Sequence, residues 1–332
     1  MNQKKCIIIG GGISGLMAGT VLQRAGFLVT VLDMGRGIGG RIATRRIKDD
    51  QYGEGVFDYG AQFFTARDPL FQSWVNRWLE QNLVQKWSDG FLTRKNELKK
   101  SGEAKYRGVV SNRDIAKRIA VDLDVHTRAR VIRIAWEENQ WKIITEGNQF
   151  FQSDLLMMTL PVPQILELLT TSDIELSQSV KNRLEKVSYR RCIALLLLLK
   201  AKSRIPEPGG IWLDGDPISW IADNTVKGIS PNGHALTIHL GHQFSLKNWK
   251  TEDELILNKI QYTAKNWIKA EVAKYQIHRW KYSQPVTFFN DPYLHVQTPG
   301  NLILSGDGFI EGRVEGAALS GIKAAEYIIS QM

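Results

Sequence analysis

Two cysteines in 332 residues are too few for a disulfide framework or a thiolate metal site. Cys6 and Cys192 each stand beside an apolar strand candidate and read as small buried hydrophobes, so a reducing, cytoplasmic setting is expected. Long apolar runs are missing too. The longest, Cys192 to Leu199, falls far short of the roughly 20 residues a membrane-spanning helix needs. The N-terminus passes from Ile7–Ile9 straight into glycines, without the flanks of a signal peptide. No helix-turn-helix, zinc-finger or RNA-binding signature occurs, so neither a nucleic-acid nor a membrane partner is expected. The net charge of +9 reads first as a solvated basic surface and second as a bias toward a polyanionic small molecule. A nucleophile triad, a paired-carboxylate site and a clear catalytic lysine are also lacking. His234, His239 and His242 fall close together, but along a strand and its exit loop, with no carboxylate or cysteine to complete a set. No metal site is expected.

The chain is long enough for two domains. Residues 4–33 read as strand, glycine turn, helix (Ser14 to Ala25, stopped by Gly26) and strand. Asp68-Pro69 opens a helix with Phe71, Trp74, Val75, Trp78 and Leu79 on one face, and Ser111 to Asp114 caps another. Strands follow near Arg130–Trp136, Trp141–Thr145 and Asp154–Thr159, the last ended by Pro161-Val162-Pro163. Leu176, Val180, Leu184 and Val187 mark a helix. Ile193–Leu199 reads as a strand buried on both faces at the centre of a second sheet. Further strands are expected near Gly210–Leu213, Ile218–Ala222, Ala235–Leu240 and Gln276–Lys281. The stretch Pro206 to Gly215 carries a loop. Thr251-Glu252-Asp253-Glu254 has the form of a capping box before Ile256, Ile260, Ala264 and Trp267. Lys95, Lys99, Lys100, Lys105 and Arg107 read as a solvated hairpin.

The chemistry concentrates at the two ends. In Gly10-x-Gly12-x-x-Gly15 the first glycine permits the turn, the second lets backbone approach a pyrophosphate, and the third lets the helix pack on the strand. The helix start at Ile13 and Ser14 offers amides to phosphate, and Asp33 ends the next strand where a ribose would be held. Arg36-Gly37-Ile38-Gly39-Gly40-Arg41 follows as a loop fit to lie on phosphate, with Arg41 forking onto the oxygens. Near the C-terminus, Asn301–Ser305 runs into Gly306-Asp307, a carboxylate suited to a ribityl hydroxyl. The helix starting near Val314 would aim its amides at the electron-rich edge of a flavin. A dinucleotide gripped from both termini indicates FAD more readily than NAD.

Longer strings then become specific: Gly39-Gly40-Arg41-Ile42-Ala43-Thr44-Arg45-Arg46, Phe57-Asp58-Tyr59-Gly60-Ala61-Gln62-Phe63-Phe64-Thr65-Ala66-Arg67, and Gly312-Arg313-Val314-Glu315-Gly316-Ala317-Ala318-Leu319-Ser320-Gly321. With the glycine turn they resemble the amine-oxidase branch of the glutathione-reductase-like flavoproteins, and more closely the renalase-like NAD(P)/FAD-dependent oxidoreductases. That resemblance implies an α/β fold. A Rossmann-type FAD-binding domain (1–66, 106–160 and 292–332) carries an inserted α+β substrate domain (67–105 and 161–291) built on a mixed or antiparallel sheet. It implies non-covalent FAD held by Gly10, Gly12, Ile13, Ser14, Gly15, Asp33, Arg36, Gly40, Arg41, Gly60, Ala61, Gln62, Phe63, Val131, Asp307, Val314, Glu315, Gly316 and Ala317. It also implies hydride transfer from isomeric dihydronicotinamide dinucleotides to flavin N5, with O2 as acceptor and hydrogen peroxide as product. The group usually has glutamate where this chain has Asp33. Aspartate is one methylene shorter, so a bent or water-mediated ribose contact is expected, without threat to FAD binding.

Trp220–Asn224 and Ile238–Leu240 are similar to flavin-facing segments of the same group, which makes Asn224 and His239 the candidates for orienting substrate. His278-Arg279-Trp280-Lys281-Tyr282 could add an aromatic wall and a cation for a substrate phosphate. An amine oxidase or desaturase of this fold, or a flavin carrier without turnover, remains an alternative. Oligomeric state is not legible.

Overall fold

The computed structural model describes residues 3–213, 215–297 and 300–331. Met1, Asn2, Asp214, Thr298, Pro299 and Met332 lie outside this set, and with them one residue of the Pro206–Gly215 stretch and the outermost residues of the expected cofactor domain. Two compact units emerge.

The first unit gathers Met1–Arg41, Ala116–Tyr189 and Gln284–Met332. Its six-stranded sheet runs in the order Leu294–Val296, Leu302–Leu304, Leu155–Met158, Lys5–Ile9, Leu28–Asp33 and Asp124–Thr127. All neighbours are parallel except the edge strand Leu294–Val296. Strands buried on both faces become unbroken apolar runs, which is why Ile7–Ile9 and Leu155–Met158 stood out in the sequence. The helices Ile13–Arg24 and Val314–Ser330 touch backbone to backbone: a Cβ on Gly321 would lie 2.1 Å from the Ser14 carbonyl oxygen. A small sheet of Val131–Glu137, Gln140–Thr145 and Phe150–Ser153 buries Ile134, Trp141 and Ile143 against Leu168 and Leu169. Those leucines belong to a helix, Val162–Thr171, where the prolines had suggested only a stop. Proline is tolerated in a first helical turn because the amide it lacks has no partner there.

The second unit comprises Ile42–Ile115 and Arg190–Ser283. Its mixed seven-stranded sheet is ordered Val272–Pro285, Tyr189–Leu199, His234–Leu240, Ile218–Asp223, Gly210–Trp212, Val84–Thr93 and Leu98–Gly108. Gly210–Trp212 pairs in parallel with Val84–Thr93, amid antiparallel neighbours. The Ile193–Leu199 run is second from an edge, not central. Its double burial has another cause, since the two faces of one strand are covered by different elements. Ile193, Leu195, Leu197 and Leu199 pack with Ile256, Ile260 and Ala264, whereas Ala194, Leu196 and Leu198 pack with Ile47 and Phe57 of the hairpin Thr44–Asp49/Gly53–Asp58 and with Tyr59 just after it.

Sequence-based boundaries differ from these units because of such packing. Residues 42–66 and 106–115 lie in the second unit, while 161–189 and 284–291 lie in the first. The hairpin at 44–58 is drawn to the leucine-rich strand, and the helix at 162–171 to Ile134 and Trp141. The helix Asp253–Thr263 is capped at Glu252 without a side-chain bond, so the Thr251 box does not form; the Thr251 amide is engaged with the Asn248 carbonyl in the preceding turn. Lys105 and Arg107 are buried and not solvated. Arg107 Nη1 donates to the carbonyls of Gly108 and Val109 (2.8 and 2.9 Å), and Lys105 Nζ to that of Glu103 (2.9 Å). No helix among the described residues is long and apolar enough to cross a membrane.

Candidate functional site

In the first unit the glycine turn joins the Lys5–Ile9 strand to the Ile13–Arg24 helix. A Cβ on Gly15 would lie 2.0 Å from the Gly10 carbonyl oxygen, so only glycine allows the helix to start this close to the strand. A Cβ on Gly12 would meet nothing within 4 Å, so that glycine's surface is open to a ligand's approach. Ile13 and Ser14 are buried in the first helical turn, which no side chain caps. The arginine–glycine loop lies directly on this turn: the Gly39 amide donates to the Gly11 carbonyl (2.8 Å), and Gly12 and Gly39 bridge. Gly40 and Arg36 are exposed.

Asp33 ends its strand with both carboxylate oxygens engaged. Oδ2 accepts from the Gly11 amide and Oδ1 from the Gly35 amide, each at 2.7 Å. It therefore braces both glycine loops, and a ribose hydroxyl would have to use a remaining lone pair on either oxygen. Beside it opens a cavity of about 270 Å³ lined by Asp33, Met34, Val131, Leu160, Gln164 and Glu167. That volume, between the carboxylate and the Val131 strand, suits an adenosine.

Arg41 and Asp307, 266 positions apart, form a two-pronged ion pair, with Nη2 2.8 Å from Oδ1 and Nη1 paired to Oδ2. The two residues had been expected to meet a cofactor separately; they also meet each other. Val314, Glu315, Gly316 and Ala317 form the first turn of the C-terminal helix. Its cap residue Arg313 makes no side-chain capping bond to the helix, and the first bond inside it runs from the Ala317 amide to the Arg313 carbonyl. The remaining first-turn amides have no partner within the helix. Glycine cradle, anion-seeking amides, guanidinium and adenosine-sized cavity together fit FAD.

In the second unit the polar groups converge on one short segment, Asp58–Phe63. Asp58 and Lys227 form an ion pair at 2.8 Å with both side chains at 0% exposure. Asp58 also accepts from Thr44 Oγ1 (2.6 Å) and the Asn112 amide (3.1 Å), and Lys227 Nζ donates onward to the Gln62 carbonyl (2.7 Å). Burial lowers the Lys227 pKa, Asp58 opposing and Arg107 reinforcing the shift. His239 Nε2 lies 3.0 Å from the Tyr59 carbonyl, which Trp280 Nε1 also reaches at 3.0 Å. Burial pushes His239 down to about 4, with the Tyr59 bond opposing and Lys227 adding. The imidazole is neutral at pH 7, carries its proton on Nε2 to satisfy Tyr59, and leaves Nδ1 as the acceptor nitrogen. Tyr59 stacks on Trp280 at 5.2 Å, with His278 edge-on at 5.0 Å.

Asn224 is fully buried. Its Nδ2 donates to Thr237 Oγ1 (2.9 Å), and Thr237 in turn bonds the Asp58 carbonyl, so Asn224 braces the same segment from below. Gly60, Ala61 and Phe63 are half-buried and Gln62 is buried. Sequence reasoning missed Lys227 altogether and gave Asp58 no role. The turn around Lys227 resembles any polar turn, and only the fold carries it 169 positions back to Asp58.

Comparison with known proteins agrees with this construction. Residues 8–78 match the NAD(P)-binding Rossmann-like domain, and residues 91–329 match the flavin containing amine oxidoreductase family. The chain is 23% identical to renalase of Mus musculus over 98% of both chains. It is 34% identical to L-amino-acid oxidase of Echis ocellatus over 31% of this chain and 20% of that one. Among solved structures it resembles a putative protoporphyrinogen oxidase from Exiguobacterium (TM-score 0.77, 14% identity, all of both chains) and a putrescine oxidase variant (TM-score 0.73, 14% identity, 99% of each). The chain belongs to the flavin-containing amine oxidoreductase family, is renalase-like along its whole length, and is an FAD-dependent oxidoreductase.

Proposed function

We propose that the protein is an oxidase of isomeric dihydronicotinamide dinucleotides, returning them to the aromatic nicotinamide with dioxygen as the final acceptor. FAD, held without a covalent link, supplies the hydride acceptor and the route by which two electrons and two protons convert O2 to hydrogen peroxide. One observation carries this reading: the second unit's polar cluster is built from neutral or already committed groups. His239 stays unprotonated near neutral pH, and Lys227 is bound to Asp58 and Gln62. A dihydronicotinamide needs no acid or base to release hydride, because it gains aromaticity on doing so; it needs alignment. Neutral hydrogen-bonding groups beside the Tyr59–Trp280 stack suit that task.

Amine oxidation would call for an open aromatic cage. Phe63, Trp87, Phe91 and Trp220 instead pack on one another, with ring centroids 4.7 to 6.3 Å apart. The first unit's adenosine-sized cavity serves FAD, so a dinucleotide substrate must find its own footing. His278 and Trp280, with Arg45 over the Tyr59 ring at 5.2 Å, are the groups to supply it. The two free thiols fit a reducing cytoplasm. In rapid mixing of the purified holoenzyme under nitrogen, dihydronicotinamide isomers should bleach the flavin within seconds, and aerobic turnover should release peroxide. Bleaching by primary amines alone would overturn the proposal.

A further inference from the structure

We propose that Gln164 and Glu167 read the base of the cofactor: the Gln164 amide pairs with the 6-amino group and N7 of the FAD adenine, and the Glu167 carboxylate accepts the second 6-amino hydrogen. This rests on the FAD assignment and on the adenosine-sized cavity beside Asp33. It is independent of which substrate the flavin oxidises.

The cavity of about 270 Å³ is lined by the first unit alone. Ala129, Val131, Leu160 and Leu168 give it apolar walls. Most of its polar groups are already committed. Asp33 holds the Gly11 and Gly35 amides, Thr171 Oγ1 donates to the Leu168 carbonyl at 3.1 Å, and Arg130 stands 3.9 Å from Glu146. Gln164, half-buried, and Glu167, exposed, are different: among the described residues neither side chain has a hydrogen bond or an ion pair. Both belong to the Val162–Thr171 helix, where residues 164, 167, 168 and 171 share one face by their spacing and all line the cavity.

With its ribose on the remaining lone pairs of Asp33, adenosine fits its base between the apolar walls and turns an edge to that helix face. The edge carries an acceptor, N7, beside a donor, the 6-amino group. A glutamine amide carries the complementary donor and acceptor in one plane. A carboxylate only accepts at neutral pH, so Glu167 suits the other amino hydrogen. Side chains three apart on a helix start about 5–6 Å from each other at Cβ, near enough to converge on one amino group. An oxygen at C6, as in hypoxanthine, would face the Glu167 carboxylate. Turning the Gln164 amide over would satisfy that oxygen, but would set its own oxygen against N7.

The test offers the stripped full-length chain an equimolar mixture of FAD and its hypoxanthine counterpart, in which oxygen replaces the 6-amino group. Bound flavin is then released and separated by chromatography. FAD should be preferred by about 10-fold or more, within the range one bidentate contact to a base discriminates. Gln164→Leu should shrink that preference. Glu167→Gln, whose amide can turn to donate to the 6-oxygen, should admit the hypoxanthine form. Melting temperatures of the variants report on folding, and the 7-deaza analogue of FAD, tested on the unaltered chain, should bind more weakly than FAD. Equal uptake of the two flavins by wild type overturns the inference whatever the variants do. A wild-type preference kept by both variants overturns it too, since backbone groups would then read the base. Failure to take up either flavin sinks the FAD assignment and this inference together. None of these measurements uses turnover, so each outcome is distinct from failure of the oxidase reading.

Discussion

His239 is the residue at which acid pH should be felt. Its ordinary value is 6.5, and burial in the folded protein pushes it to about 4. Between those values the unfolded chain binds a proton that the folded chain refuses, so stability falls as pH drops from 6.5 to 4 and changes no further from this cause below it. His278, also lowered to about 4 by burial and then by Arg45, acts in the same direction. His239→Gln retains an N–H for the Tyr59 carbonyl and should flatten the acid limb of a melting-temperature profile across that window. An unchanged limb would assign the loss to other groups. Asp33, Arg41, Asp307 and the glycines of the turn were readable one by one, because each sits at fixed spacing inside a local motif. Gln62 could be picked out by its segment, but the way its amide faces could not. Only the carbonyls of Asp58 and Gly60 reveal that.

Among the elements, the contact between the Ile13–Arg24 and Val314–Ser330 helices is the most exacting, since it brings the phosphate-facing turn and the C-terminal helix together. A side chain at Gly321 has no room beside the Ser14 backbone, where a Cβ would lie 2.1 Å from the carbonyl oxygen. Gly321→Val should therefore push the helices apart and cost about 1–3 kcal/mol, as overpacked cores do. FAD should be lost on gel filtration while wild type keeps it. A variant of full stability that holds FAD would refute this account of the junction. Ala318, Ile322, Ala325 and Ile329 recur at steps of four and three, which announces the Val314–Ser330 helix; the first three are buried and Ile329 is half-buried. The Val162–Thr171 helix escaped notice because prolines punctuate its start.

For the whole molecule, the cofactor unit is assembled from three stretches of chain, and FAD should tie them by mass action. A ligand that binds only the folded state adds about 2.7 kcal/mol when present at 100 times its Kd. The melting temperature of stripped protein should climb steadily with the logarithm of added FAD. A melting temperature indifferent to FAD would contradict the cofactor assignment.

The sequence by itself determined the cofactor family, the parallel sheet at the amino terminus and the helix that closes the chain. Each of these is written in contiguous patterns, where spacing along the chain equals spacing in space. The tertiary structure alone decided which unit takes residues 42–66, why the leucine-rich strand is buried on both faces, and that Lys227 meets Asp58. Those outcomes depend on contacts between residues far apart in order. A buried charge finds its counter-ion wherever the packed chain leaves one, and no local pattern records the place.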